Sequence, residues 1–335
     1  TWGNTVSRKT DGNDRYCVGH ENPPILQSIM TRQNHSSFEL EIAHDLNSVD
    51  AKAWNQLVDP NDPFMEHAFL ASLESSGSVC RETGWVPVHI LAKKDDELVG
   101  AAPLYLKNHS YGEYIFDWGW ANAASGAGIP YYPKLVCAVP FTPATGRRLL
   151  CKSEEVEQVL LDGMHGVAKA TGAQSIHILF ATQKEHNRIR DRPEFVGRMT
   201  HQFHWDNNEY TNFDEWLQRF RSRKRKEVRR ERKQAIERGA KIQMLRGDSL
   251  TPEVWAKLRQ FYEDTTYRKH AEAYLKPLFF ADGAKLLSHS AVAFMAEHEG
   301  KWVAGSLCFQ RGKHLYGRYW GCEPDWGGLH FELCY

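Results

Sequence analysis

No C-x-x-C pair occurs in this chain, and its seven cysteines, Cys17, Cys80, Cys137, Cys151, Cys308, Cys322 and Cys334, are scattered and odd in number. That pattern argues against a disulfide scaffold and a cysteine-rich zinc site, and it fits a reducing compartment. No stretch approaches the roughly 18 consecutive apolar residues needed to span a bilayer. An excess of one charge is also missing, since 42 Lys and Arg balance 42 Asp and Glu. A nucleic-acid coat or a polybasic membrane binder depends on such an excess. H-E-x-x-H, G-x-S-x-G and G-K-[ST] are absent, so zinc-protease, serine-hydrolase and Walker-loop chemistry have no residues to rest on. His201 and His204 are three apart in a stretch that reads as a strand, a spacing that suits a metal only on a helix. No metal is expected.

What is present describes a folded chain of about two domains. It has 335 residues, 41% apolar and 25% charged, with 11 Trp, 13 Tyr and 16 Phe. Residues 1–37 are polar, contain Pro23-Pro24 and show no period, and are expected to be a disordered tail. Beyond them the sequence repeats itself. Ser48-x5-Trp54-x2-Leu57 matches Ser249-x5-Trp255-x2-Leu258, and Val88–Ala92 matches Val292–Ala296 with one residue inserted in the second copy. Leu98-Val99-Gly100 matches Val303-Ala304-Gly305, and Tyr111–Tyr114 matches Tyr316–Tyr319. The order reads helix, strand, strand, strand twice, which predicts an α/β (α+β) fold of two copies of one module. We place them at residues 38–205 and 206–335, the second headed by a basic helix. By this symmetry the second copy is incomplete at its C-terminus, as in a fragment of a longer protein.

Local signals support the helices. Thr251-Pro252-Glu253 is a start signal, followed by Val254, Leu258, Phe261, Tyr262 and Thr265 on one face. Residues 154–171 carry a Ser153 N-cap, a stripe of Val156, Val159, Leu160, Met164 and Val167, and Gly172 as C-cap. Ile176, Ile178 and Phe180 alternate as a strand, and His201–Trp205 is also strand-like. Residues 119–150, rich in Gly, Ala and Pro, read as one long irregular segment.

Several groups of residues can carry chemistry. The run from Arg219 to Lys233 has ten basic residues and two acids. It reads as a solvated helix with internal pairs, as a phosphate-binding helix through residues such as Arg225 and Arg229, or as an RNA contact. Val139–Leu150, with Thr142, Thr145, Gly146, Arg147 and Arg148, is either a phosphate-holding loop or a proline-stiffened turn. His330 and Glu332 share a face if Leu329–Tyr335 is extended. There they form a general base with an orienting partner, or a structural pair. Tyr316 and Tyr319 lie on the neighbouring strand.

Tyr131-Tyr132-Pro133-Lys134-Leu135, continuing through Val139–Arg147, resembles the signature of the FemAB-like peptidoglycan biosynthesis/recognition family. Gln202-Phe203-His204-Trp205, Arg223–Lys226 with Arg229–Arg232, Tyr316–Gly321 and Leu329–Tyr335 agree in order, so the resemblance covers about residues 38–335. It implies a tandem GNAT-like acyltransferase fold and transfer of an acyl or aminoacyl group onto an amine. Better-understood Fem relatives move an amino acid from aminoacyl-tRNA onto a peptidoglycan precursor, and a cleft between the halves holds the sugar-nucleotide diphosphate. The donor is then acyl-CoA or aminoacyl-tRNA. The acceptor is a small molecule or a peptidoglycan precursor, with tRNA a possible partner. The resemblance adds Tyr132, Lys134 and Arg318 to the substrate-binding candidates, and the acyl transfer it implies would use Tyr316 and Tyr319 as oxyanion donors. The Q/R-x-x-G-x-G/A loop of GNAT enzymes is absent from both copies; Thr142–Arg148 and Asp325–Gly328 stand in its place. A non-catalytic protein that keeps the cleft to recognise a glycan, peptide or nucleotide is the alternative. The expected location is the cytoplasm, or an organelle stroma if a targeting segment has been lost.

Overall fold

The computed structural model describes residues 37–334, apart from the side chains of residues 234–236 and 327. The tail expected over residues 1–37 lies, but for its last residue, outside the described residues. In chain order the elements are β1 (Glu39–Ala43), α1 (Ala51–Asn55), α2 (His67–Ser75), β2 (Val86–Pro87), β3 (His89–Lys94), β4 (Glu97–Ala102), β5 (Leu104–Lys107) and α3 (Trp118–Gly126). They continue with β6 (Lys134–Cys137), β7 (Leu150–Cys151), α4 (Glu154–Thr171), β8 (Ile176–Ile178), α5 (Gln183–Arg190), α6 (Phe213–Leu217) and α7 (Ser222–Glu237). The second half closes with β9 (Lys241–Arg246), α8 (Pro252–Arg268), α9 (Pro277–Leu286), β10 (Ala291–His298), β11 (Lys301–Arg311), β12 (His314–Cys322) and α10 (His330–Cys334). The fold is therefore mixed α/β.

Among the described residues the strands form three four-stranded sheets. The first half builds β1-β3-β4-β7 and β2-β5-β6-β8, and the second half builds β12-β11-β10-β9. Pro103 separates β4 from β5; it has no N–H for a ladder, and the chain passes there from the first sheet to the second. Helix α4 forms as its caps dictate, with Ser153 accepting from the Val156 amide and Gly172 left-handed at φ 69°. Its apolar stripe packs on β3 and β4. Helix α8 starts at Pro252 under a Thr251 cap and buries Val254, Trp255, Leu258 and Phe261. A Cβ on Gly321 would collide with the Phe261 carbonyl, so only glycine lets α8 sit this close to β12.

The sequence repeat reappears as a repeated order of strand, 3₁₀ turn, two helices and two strands, with the two-residue β2 added before the strands of the first half. Both strand pairs carry a bulge at the matched place, after Ala92 and after Ala296. One match fails. Tyr111–Tyr114 forms turns rather than a strand. It is β6 that runs antiparallel to β5, as β12 does to β11. The counterpart of β12 is thus β6, and residues 108–133 are an insertion where the second half has only Gly312 and Lys313. The segment 119–150 is accordingly not uniformly irregular, since it holds α3, β6 and the start of β7. His201–Trp205 forms no strand, and Leu329–Cys334 turns into a helix rather than extending.

One hydrophobic core runs through both halves. Phe64 and Phe69 enter the second half and meet Phe309 edge-on at 5.5 and 5.3 Å, and Phe69 meets Phe279 at 6.1 Å. Beside them the buried Glu66 carboxylate takes Arg311 and His289 from the other half, the latter at 2.9 Å. Ser78 accepts from the Lys276 amide at 2.9 Å. Because the core is shared, denaturant should unfold residues 37–334 in one transition. Phe69→Ala should cost about 3–5 kcal/mol and shift that single midpoint; two separate transitions in urea would show instead that the halves fold independently.

Candidate functional site

Two lysines face each other at the base of the insertion. Lys107 ends β5, Lys134 begins β6, and the register sets them directly opposite. Both are fully buried. Like charges so placed repel, and a buried cation needs partners. The insertion supplies them. Its two acids, Glu113 and Asp117, are its only acidic residues and both turn inward. Lys134 Nζ donates to Ser110 Oγ (2.8 Å), Glu113 Oε2 (2.8 Å) and Asp117 Oδ2 (2.6 Å), using all three protons. Tyr131 donates to Asp117 at 2.6 Å, and Tyr132 shares a 2.8 Å bond with Ser110. Lys107 donates to the Tyr111 carbonyl at 3.1 Å and lies 3.5 Å over the Trp85 ring.

The electrostatics follow from burial and these bonds. Burial works to raise the Asp117 pKa, but hydrogen bonds from Lys134, Ser110 and Tyr131 outweigh it and hold the carboxyl at about 2. Burial draws Lys107 down to about 7 against the pull of Glu113. His177, 3.9 Å from Asp117, falls to about 4 through burial and the Lys134 charge. Glu113 Oε1 and Asp117 Oδ1 are buried without a hydrogen-bond partner.

A second cluster lies where the halves meet. In the β11–β12 ladder Tyr319 pairs with Leu307 and Gly317 with Cys308, which leaves Arg318 as the extra residue of a bulge. A bulge re-aims side chains; here the guanidinium comes within 5.1 Å of the Tyr319 ring. Arg318 Nη2 donates to the Phe141 carbonyl, while Arg318 Nε and the Tyr319 hydroxyl are buried without partners. Phe141 stacks on Tyr274 at 5.0 Å, Tyr114 of the insertion meets Tyr274 edge-on at 6.4 Å, and Tyr262 meets Tyr319 at 5.1 Å. Burial raises Tyr114 to about 12. Tyr316, raised to about 12 mainly by burial, points instead to the Asn61 carbonyl at 3.4 Å.

The loop after β6 has its polar groups engaged. The Phe141, Thr142 and Gly146 amides donate to Gly112, Val139 and Phe180 carbonyls. The Arg148 and Leu149 amides converge on the buried Glu185 carboxylate, so a carboxylate of the chain itself sits in that amide cradle. Arg148 is turned inward to the Leu179 and Ala144 carbonyls, with Nη1 unpartnered. Gly146 is required because a Cβ there would strike Asp62 and Arg148. Thr142 donates to the Pro140 carbonyl, Thr145 to Gln202, and Arg147 reaches Cys151 Sγ at 3.5 Å. Gln202 also donates to the Pro143 carbonyl, so Gln202-Phe203-His204-Trp205 clamps this loop through its first residue.

The remaining candidates lie elsewhere. His330 and Glu332 are on helix α10 and share no face. Glu332 pairs with Arg232 at 2.8 Å, and the His330 ring lies 5.1 Å from Trp320. Burial, with Lys269 nearby, lowers the His330 pKa. Arg225 donates to the Phe220 carbonyl and Arg229 pairs with Asp214 at 3.0 Å. A hollow of about 410 Å³ lined by Asn212, Phe213, Asp214, Leu217, Arg229 and Arg232 opens beside α7, apart from both clusters. Among the described residues no group of His, Cys, Asp and Glu is arranged to hold a metal, and no helix is long and apolar enough to cross a membrane.

Sequence reasoning missed Lys107, Ser110, Glu113, Asp117, Tyr114, Tyr262 and Tyr274. One signal was available: two acids four apart in 26 residues that hold no other charge, between two lysines.

A mixed α/β chain of two partly repeated halves, with these polar clusters at and beside their junction, is the architecture to be placed. The sequence model of the FemAB-like family, described as peptidoglycan biosynthesis/recognition, matches residues 45–335. The chain belongs to that family. No curated protein matches it. Among solved structures the crystal structure of FemX is similar, with 15% identity, a TM-score of 0.48, and 87% of this chain and 83% of that chain covered.

Lys134→Met should destabilise the fold by about 3–5 kcal/mol, since it strands two buried carboxylates; a urea midpoint within error of wild type would contradict the pairing. Asp117, with its folded pKa below the unfolded value of about 3.9, contributes stability above pH 4 that is lost as the pH falls toward 2. Lys107 has a folded pKa of about 7, below its unfolded value of about 10.4. Between these the unfolded chain binds more protons, so stability rises with pH. Lys107→Met should abolish that rise, read as unfolding free energy against pH.

Proposed function

We propose that this chain is an N-acyltransferase or aminoacyltransferase of the FemAB-like, GNAT type, moving an acyl or aminoacyl group onto an amine of a peptidoglycan-type precursor. The observation that carries the reading is the β12 bulge. It aims two buried donors without partners, Arg318 Nε and the Tyr319 hydroxyl, into the junction of the halves. The reaction creates one group that needs such donors. The amine nitrogen attacks the carbonyl carbon of the donor ester or thioester, the carbonyl oxygen becomes an oxyanion, and the C–O or C–S bond then breaks. The nitrogen loses a proton to a base, and the leaving oxygen or sulfur takes one up. Preorganised donors in a water-poor site lower the energy of that oxyanion.

In this reading Tyr319 and Arg318 hold the oxyanion and the amine proton leaves through water; His330, packed on Trp320 on the face of β12 opposite Tyr319, stands apart from that site. Glu332 holds Arg232, and Tyr316 positions β12 against Asn61. Tyr132 and Lys134 anchor the insertion beside the site. Arg147, Arg225 and Arg229 remain the exposed or half-exposed candidates for donor or acceptor phosphates. Arg148, Thr142, Thr145 and Gly146 then act by shaping the loop. Glu185 in the amide cradle supports a donor that does not seat a pyrophosphate there, which favours aminoacyl-tRNA over acyl-CoA. The same occupied cradle favours a second reading, in which the chain binds a glycan, peptide or nucleotide without turnover.

The test is turnover with acyl-CoAs or aminoacyl-tRNA as donor and a UDP-linked muropeptide as acceptor, beside thermal shift with each ligand. Tyr319→Phe should lower kcat on the order of a hundredfold with an unchanged melting temperature. His330→Ala, on the opposite face of β12, should leave kcat and its pH profile unchanged. Binding of the muropeptide with no turnover from any donor would establish the second reading.

A further inference from the structure

We propose that the outer face of residues 108–133 rests on a lipid surface. The second half of the chain makes the equivalent connection with Gly312 and Lys313 alone, so the insertion is not needed to join its strands. Helix α3 within it buries none of its residues. Tyr111, Phe116, Trp118, Trp120 and Ile129 are 45–59% exposed. Isolated exposed rings need no explanation, but these are assembled: Phe116 stacks on Trp118 at 4.4 Å, and Tyr111 meets Trp118 at 6.0 Å. A contiguous apolar patch marks an interaction surface.

Charge indicates what covers it. The two acids of the insertion are turned inward on Lys134, so residues 108–133 present no negative charge to the outside. The cation at the edge is Arg198, 4.8 Å over the Trp120 ring and bonded to the Phe116 carbonyl at 3.2 Å. Its neighbours Val196 and Met199 are 80% and 90% exposed. Outward indole and phenyl rings bordered by arginine match a lipid headgroup interface, where aromatic rings sit at the boundary and guanidinium meets phosphate. In α3 only Asn122 and Ser125 add polar side chains to the indoles, few for a surface specified by hydrogen bonds.

Flotation of the whole chain with vesicles of phosphatidylcholine, alone or with phosphatidylglycerol, tests this. The wild type should float with both and more with the anionic vesicles. Trp118→Ser with Trp120→Ser should reduce partitioning at least tenfold at an unchanged melting temperature, and Arg198→Gln should remove only the anionic enhancement. Should the double variant not fold, brominated lipids should still quench wild-type indole emission. A wild type that neither floats nor is quenched overturns the proposal. So does a double variant that floats as well as wild type, or a non-floating wild type whose dimer, seen by light scattering, dissociates in that variant.

Discussion

The segment from Asp62 to Phe69 inserts into the second half of the chain, and the rest of the architecture depends on that contact. Phe64 and Phe69 lose their water only by packing on Phe309 and Phe279. Glu66, at the head of α2, is buried as a charge that Arg311 and His289 neutralise. Removing either half would expose the rings and strand the carboxylate. This fixes β12 against the first half, and so brings Arg318 to the Phe141 carbonyl and Tyr316 to Asn61.

The insertion solves one problem and creates another. Antiparallel pairing of β5 with β6 sets Lys107 against Lys134, and the inward Glu113 and Asp117 cancel the repulsion. With its charges spent inside, the insertion shows apolar rings outside, while Tyr114 at its inner edge reaches Tyr274 beside the bulged strand. One buried charge cluster thus holds both a wall of the candidate site and an exposed face. The motif residue Lys134 acts in it as an anchor whose protons are all committed.

The junction of the halves sets the Arg318 bulge beside the loop after β6, and the polar groups of that loop are engaged within the chain. Glu185 occupies amides that the sequence suggested for phosphate, and Arg148 fills the space beside them. The bulge at Arg318 offers donors without acceptors.

Much of the fold was legible because its signals are local. Ser153, Gly172, Thr251 and Pro252 mark helix ends by capping geometry within four residues, and the stripes of α4 and α8 follow from helical period alone. The repeat showed the order of elements, and the structure adds matching bulges after Ala92 and Ala296. It misled at Tyr111–Tyr114, where similar letters stand in a turn and in a strand, because strand identity is settled by a partner rather than by composition. Leu329–Cys334 alternates well enough for a strand and becomes a helix for the same reason. The sequence by itself determined the family, helices α4, α7 and α8, and the candidate residue types. Tertiary structure alone decided that Lys134 faces Lys107, that Arg318 is the unpaired residue of a bulge, and that Glu185 reaches the Arg148 amide. Each depends on register or contact between residues far apart in the chain, and a one-residue slip in pairing would reverse every side chain.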